Sequence, residues 1–106
     1  MLNNLMIVGH LSEMKEENEN KCIITLKVQR TFKNKNGEYE NDFVECILLN
    51  SLARCASEYF EKGNIIGVKG RLQCLKGERL EVIAEKLTFL QSNKKNNMES
   101  VYLDNE

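Results

Sequence analysis

Two runs of alternating apolar and polar residues dominate the pattern of the chain. In the first, Cys22 to Phe32, Ile24, Leu26 and Val28 alternate with Thr25, Lys27 and Gln29. In the second, Asp42 to Leu49, Val44, Cys46 and Leu48 alternate with Phe43, Glu45 and Ile47. Period two is the signature of a strand with one buried face. Between the runs, Lys33 to Glu40 is polar and basic and contains Asn36-Gly37, whose residue types supply positive backbone angles, so the runs form a hairpin with a basic, mobile tip. Upstream, Leu5-Met6-Ile7-Val8 is a continuous apolar run ending at Gly9, which predicts a first strand over Leu2 to Leu11, buried on both sides and bent at the glycine so as to serve two sheets of a small barrel. Ser12 to Lys21 is polar and acidic without a period and is expected to be a loop.

Downstream of Leu49 the period changes. Leu52, Cys55, Ala56, Tyr59 and Phe60 share one stripe of a helix, which predicts that all five face the core. Asn50 or Ser51 is placed to cap its start and Gly63 its end. From Asn64 to Leu75 period two returns, with Ile66, Val68, Leu72 and Cys74 inward, Lys69, Arg71 and Gln73 outward, and Gly67 and Gly70 permitting strong coiling. After a turn at Lys76-Gly77-Glu78, the strand from Arg79 to Leu90 changes parity, from Leu80, Val82 and Ala84 to Leu87 and Phe89, and a bulge near Glu85 or Lys86 accounts for the slip. Gln91 to Glu106 offers only Val101, Tyr102 and Leu103 for packing and is expected to be mostly disordered.

Three strands, a helix and two further strands predict an all-β OB-fold, a five-stranded Greek-key barrel with one α-helix between strands 3 and 4. An SH3-like barrel is the competing small barrel, and it leaves the amphipathic helix without a place. The expected organisation is one domain over residues 1–91 and a flexible C-terminal tail over 92–106, since 106 residues support a single core.

Composition narrows the chemistry. A formal charge of -1 argues against a protein that binds duplex DNA by bulk basicity. The charge is segregated instead. Glu13, Glu16, Glu17 and Glu19 crowd one early segment, whereas Lys27, Arg30, Lys33, Lys35, Lys69, Arg71, Lys76 and Arg79 fall in or between the central strands. The four cysteines, Cys22, Cys46, Cys55 and Cys74, lack metal-site spacing and are expected to be small core residues, and His10 is the single histidine, so no metal and no cofactor is assigned. No apolar run has the length of a membrane span, and Met1-Leu2-Asn3-Asn4 carries no basic region or cleavage pattern, which predicts a cytoplasmic, nucleoid-associated protein.

Cations beside aromatics on an open sheet face suit a single nucleic acid strand, because phosphates seek charge and unstacked bases seek a flat apolar surface. The candidate residues are the aromatics Phe32 and Phe43 with Lys27, Arg30, Lys33, Lys35, Lys69, Arg71, Lys76 and Arg79. Ile47, Leu49 and Ile65 are expected to be exposed apolar positions that a symmetric assembly covers. No Ser/His/Asp, Cys/His or phosphate-cradling glycine arrangement points to an enzyme.

With these elements in place, the chain resembles the bacterial single-stranded DNA-binding proteins over roughly Met1 to Gln91. The resemblance is carried by the opening Leu2-Asn3-Asn4-Leu5-Met6-Ile7-Val8-Gly9-His10-Leu11, by Val28-Gln29-Arg30-Thr31-Phe32, by Asp42-Phe43-Val44-Glu45-Cys46, by Leu52-Ala53-Arg54-Cys55-Ala56-Ser57-Glu58-Tyr59-Phe60-Glu61-Lys62-Gly63 and by Val68-Lys69-Gly70-Arg71-Leu72-Gln73. It implies a homotetramer, with a dimer as the second choice, around which single-stranded DNA wraps during replication, recombination or repair. It also implies that Phe32 and Phe43 stack bases. The chain departs from the family pattern at Leu49, where many relatives have an aromatic, and at the short Lys76-Gly77-Glu78 turn. It departs again at Tyr102-Leu103-Asp104-Asn105-Glu106, which lacks the terminal phenylalanine through which relatives recruit replication and repair proteins. The alternative function is a primosome-type OB-fold module that uses its sheet for protein contacts and binds nucleic acid weakly.

Overall fold

The computed structural model describes residues 2–75, 79–91 and 101–104. Its elements run in the order β1 (Leu5–Asn18), β2 (Lys21–Lys33), β3 (Tyr39–Leu49), α1 (Ser51–Tyr59), β4 (Ile65–Leu75), β5 (Arg79–Gln91) and β6 (Val101–Asp104). The strands are ordered β3-β2-β1-β4-β5-β6, and a parallel pairing of Cys46 with Val82 and Ile47 with Ile83 joins β3 to β5. That join closes a five-stranded barrel with one helix after the third strand, the predicted OB architecture.

Two glycines make the corners. β1 pairs with β4 from Leu5 to His10 and with β2 from His10 onward, so the strand turns from one neighbour to the other at the Gly9-His10 step. In β5, Lys86 pairs with Lys69 and Ala84 with Gly70, leaving Glu85 as the extra residue of a bulge, as the parity change required. Gly70 lies against the backbone of Ile83 at this point, where a side chain would collide.

The interior is filled by alternate residues of every barrel strand. Ile24, Leu26, Leu48, Leu52, Ile66 and Leu87 are fully buried, each contributing about 1.5–3 kcal/mol relative to exposure. Helix α1 adds Leu52, Ala53 and Ala56 to the same cluster, and Phe60 follows them, edge-on to Phe89 at 5.6 Å between ring centroids.

Several expectations are corrected. The predicted loop from Ser12 to Lys21 is mostly strand: β1 runs on to Asn18, with Met14 opposite Ile24 and register shifts between Leu11 and Glu13 and between Glu16 and Asn18. Its backbone hydrogen bonds are made to β2 while its outer face stays polar, so hydrophobicity gave no strand signal. The first strand is not buried on both sides either, because Met6 and Val8 are exposed and Leu5 and Ile7 pack against the core.

Helix α1 ends at Tyr59, and Phe60 is extended, which leaves Tyr59 exposed instead of in the core. Neither Asn50 nor Ser51 supplies a side-chain cap; Asn50 has φ 56, its N–H donates to the Asn20 carbonyl at 2.9 Å, and its own carbonyl accepts from the Arg54 N–H. Gly63 lies beyond the helix end, at φ 91, donating its N–H to the Leu11 carbonyl at 2.9 Å. Leu72, Cys74 and Leu80, expected inside, are exposed, because the β4–β5 hairpin projects past the barrel. Of the cysteines, Cys22 and Cys46 are buried, Cys55 is half-buried and Cys74 is exposed. The C-terminal segment expected to be mostly disordered supplies β6, antiparallel to β5 from Lys86–Asp104 to Phe89–Val101; residues 92–100 and 105–106 lie outside the described residues. No described helix is long and apolar enough to cross a membrane.

Candidate nucleic-acid interface

The β2–β3 hairpin carries most of the candidate residues. Lys27 and Phe43 are direct partners across the ladder, so both side chains leave the same face, and Phe43 is 61% exposed. His10 of β1 partners Lys27 from the other side. Phe32 is 67% exposed and falls in a stretch of β2 where the register shifts between Gln29 and Lys33.

The hairpin tip differs from the expectation. It is shorter, Asn34 to Glu38, because Tyr39 and Glu40 already belong to β3. Only Gly37 takes a positive φ, at 79, while Asn36 does not. Asn34 organises the turn. Its Oδ1 accepts the N–H groups of Asn36 at 2.8 Å and Glu38 at 2.9 Å, its N–H donates to the Glu38 carbonyl at 2.8 Å, and its carbonyl accepts from the Gly37 N–H at 3.0 Å.

The cations fall into two groups. Arg30 is occupied by acids of the facing strand: Nη1 donates to Glu40 Oε1 at 2.9 Å, and Nη2 and Nε donate to Asp42 at 2.9 and 3.2 Å. The hydrogen bond from Arg30, more than its charge alone, holds the Asp42 carboxyl below the usual range, and Asp42 in turn raises the Arg30 pKa. Arg71 is likewise held, by Glu85 at 3.2 Å and by a hydrogen bond to Gln73 Oε1 at 2.7 Å. Among the described residues, Lys27, Lys33, Lys35 and Lys69 make no ion pair, which leaves their charge available to an anion. Lys33 lies over the ring of Tyr39, Nζ 5.7 Å from the centroid.

The structure thus brings Lys27, Arg30, Phe32, Lys33, Lys35 and Phe43 onto one hairpin. Lys69 and Arg71 join Leu49, Ile83 and Lys86 around a separate depression of about 450 Å³. Arg79 is exposed at the start of β5, and Lys76 lies outside the described residues. Ile47, placed outward on the binding face, is 8% exposed because the β3–β5 join covers it, and Leu49 and Ile65 are half-buried.

An open groove of about 680 Å³ separates the two projecting hairpins, with Phe43 and Val44 on one wall and Leu72 and Leu80 on the other. Glu13 and Glu45 also line it. Leu72 and Leu80 have the parity of core residues and Tyr39 falls in the polar stretch between the two alternating runs, so none of the three stands out in the sequence as binding surface.

Known proteins share both the sequence and the fold. The family model described as "Single-strand binding protein family" matches residues 2–90. A single-stranded DNA-binding protein 1 of Lactococcus lactis is 36% identical over 107 residues, covering 89% of this chain and 71% of that protein. One of Staphylococcus aureus is 35% identical over 116 residues, covering 96% of this chain and 74% of that protein. Among solved structures, a mitochondrial single-stranded DNA-binding protein of S. cerevisiae superposes with TM-score 0.66 at 16% identity, covering 88% of this chain and 100% of that one. A small single-stranded DNA-binding protein of Mycoplasma pneumoniae does so with TM-score 0.61 at 18% identity, covering 100% of this chain and 98% of that one. By its match along nearly the whole barrel, the chain belongs to the single-strand binding protein family.

Proposed function

We propose that the protein binds single-stranded DNA without strong sequence preference, through the aromatic and basic face of the β2–β3 hairpin, and protects it during replication, recombination or repair. The observation that carries this reading is the Lys27–Phe43 pair, an exposed ring beside an uncompensated cation on an open strand face, in a chain whose relatives bear the name of single-stranded DNA-binding proteins. A base stacks on Phe43, while Lys27, Lys33 and Lys35 neutralise phosphates on either side. Because every base has a stackable face and a duplex hides it, this arrangement selects for single strands and reads no sequence. The binding domain spans residues 1–91, acts without catalysing a reaction, and works in the cytoplasm on the nucleoid.

Arg30 and Arg71 enter the site differently. Each is held by carboxylates, so a phosphate must compete with Asp42 and Glu40 or with Glu85 for its guanidinium. These arginines contribute less to affinity than the unpaired lysines.

The protein assembles as a homotetramer, with a dimer as the second choice. Met6 and Val8, 60% and 43% exposed on successive outward positions of β1, are the apolar residues such an assembly covers.

The test is fluorescence anisotropy with labelled oligo-dT at two salt concentrations beside a duplex control. The expected result is preferential binding to the single strand and a linear fall of log affinity with log salt. Equal affinity for duplex and single strand overturns the proposal. Glu13 and Glu45 in the open groove favour the alternative protein-contact module, for which oligo-dT binding is weak and the protein contact itself barely responds to salt.

A further inference from the structure

The Lys27–Phe43 arrangement occurs twice on the same ladder. Beyond the register shift between Gln29 and Lys33, Lys33 and Tyr39 are also direct partners across β2 and β3, with the lysine ammonium within cation–π range of the ring, at 5.7 Å. Tyr39 is 47% exposed. Residues 39, 41 and 43 share one face of β3 by strand periodicity, and the backbone rise separates positions 39 and 43 by about 13 Å, more than one stacked base spans.

Both neighbours of Tyr39 are tied to the hairpin, Glu38 through its backbone and Glu40 through its side-chain carboxylate. Before it, the Glu38 N–H donates to Asn34 Oδ1 at 2.9 Å. After it, Glu40 accepts from Arg30 Nη1 at 2.9 Å and from Asn34 Nδ2 at 3.2 Å. Asn34 therefore grips both neighbours of the tyrosine, and Arg30 holds the second of them. An aromatic platform held this way loses little freedom when a base settles on it.

We propose that Tyr39 is a further base-stacking platform, beside Phe32 and Phe43, at the outer end of the hairpin face, with Lys33 steadying its ring and meeting the adjacent phosphate. Arg30 serves this platform as a positioning residue, through Glu40. The inference deepens the proposed single-strand binding and rests on it. It extends the contacted strand from Phe43 toward the tip, and it gives the carboxylates that hold Arg30 a role in the geometry of the site.

The test uses the full chain and labelled oligo-dT, comparing wild type, Tyr39→Ala and Tyr39→Phe, with tyrosine emission followed in parallel. The chain has three tyrosines and no tryptophan, so stacking on Tyr39 is visible as quenching. Tyr39→Ala is expected to weaken binding roughly 5- to 150-fold, the range for loss of one stacked base. Tyr39→Phe is expected to bind like wild type while losing much of the quenching. Should Tyr39→Ala unfold, the phenylalanine variant still decides. Quenching by oligo-dT that is undiminished in Tyr39→Phe, or affinity unchanged in a folded Tyr39→Ala, overturns the role of Tyr39. Failure of the wild-type chain to bind oligo-dT overturns the underlying function instead, and the wild-type arm alone shows it.

Discussion

Gly9 passes so close to Lys27 that a Cβ on the glycine would stand 2.6 Å from the lysine carbonyl oxygen and 3.0 Å from Val28 Cγ2. The bend of β1 and the position of a candidate DNA-contacting residue are therefore one packing problem. Gly9→Ala must push the β2 backbone away, and overpacking of this kind costs roughly 1–3 kcal/mol. Thermal unfolding is expected to show that loss, together with weakened oligo-dT binding as Lys27 shifts. Gly37→Ala is the comparison. Nothing lies within 4 Å of its Cβ position, so its cost, about 1–2 kcal/mol, comes from the positive φ alone. A Gly9→Ala protein as stable as wild type would show that the bend of β1 does not depend on this close approach.

Phe43 and Lys35 are expected to fail differently. Phe43→Ala removes an uncharged stacking surface and should cost about 1–3 kcal/mol at any salt concentration. Lys35 sits in the turn without an ion pair among the described residues, as one potential phosphate contact. Lys35→Ala should therefore lower the slope of log affinity against log salt by about 0.7. Anisotropy titrations at several salt concentrations, with light scattering to confirm an unchanged assembly, separate the two. An intact Phe43→Ala protein with wild-type affinity would remove the stacking role.

The sequence was most legible where one face of an element is buried. Ile24, Leu26, Cys46 and Leu48 announce β2 and β3 by alternation, and the parity change from Ala84 to Leu87 located the Glu85 bulge to within a residue. It was least legible where structure is paid for by backbone pairing alone, as in β1 beyond Leu11, where Glu13, Lys15, Glu16 and Glu17 look like a loop. Parity also says which way a side chain points and not whether anything covers it. Leu72 and Leu80 follow the inward parity but lie past the end of the barrel, while Ile47 and Ile83 follow the outward parity and are buried where β3 meets β5. Closure of a barrel is a long-range event that no local pattern encodes. For the same reason the pairing of Arg30 with Asp42 and Glu40, which divides held cations from available ones, emerged only from the register.

Met6 and Val8 replace Ile47 as the exposed apolar positions that assembly should cover. Light scattering at micromolar protein is expected to give a tetramer, and Val8→Glu, which places a charge on that face, is expected to lower the assembly state while leaving the barrel folded. Circular dichroism checks the fold of the variant. A wild-type monomer would remove wrapping around an assembly as the binding mode, leaving the hairpin contacts to act alone.

The cysteines connect burial to pH. Burial pushes the Cys46 thiol up to about 12, and burial, with the charge of Glu16 as a lesser cause, pushes Cys22 up to about 11, both from an ordinary value of 9.0. For such groups the fold favours the neutral, protonated thiol. Below pH 9 both states hold the proton and the stabilisation is complete; above it the unfolded chain ionises first, so stability declines as pH rises toward 11 and 12. The informative quantity is the difference between wild type and Cys46→Ala. The alanine variant is expected to be less stable at neutral pH, since it leaves a small cavity, and to lose less further stability than wild type between about pH 8 and about pH 11. Thiol labelling provides the second measurement. Exposed Cys74 should react first, half-buried Cys55 more slowly, and Cys22 and Cys46 only on unfolding. Equal rates at all four thiols in the folded protein, or parallel pH profiles for wild type and Cys46→Ala, would show that Cys46 is not sealed in the core.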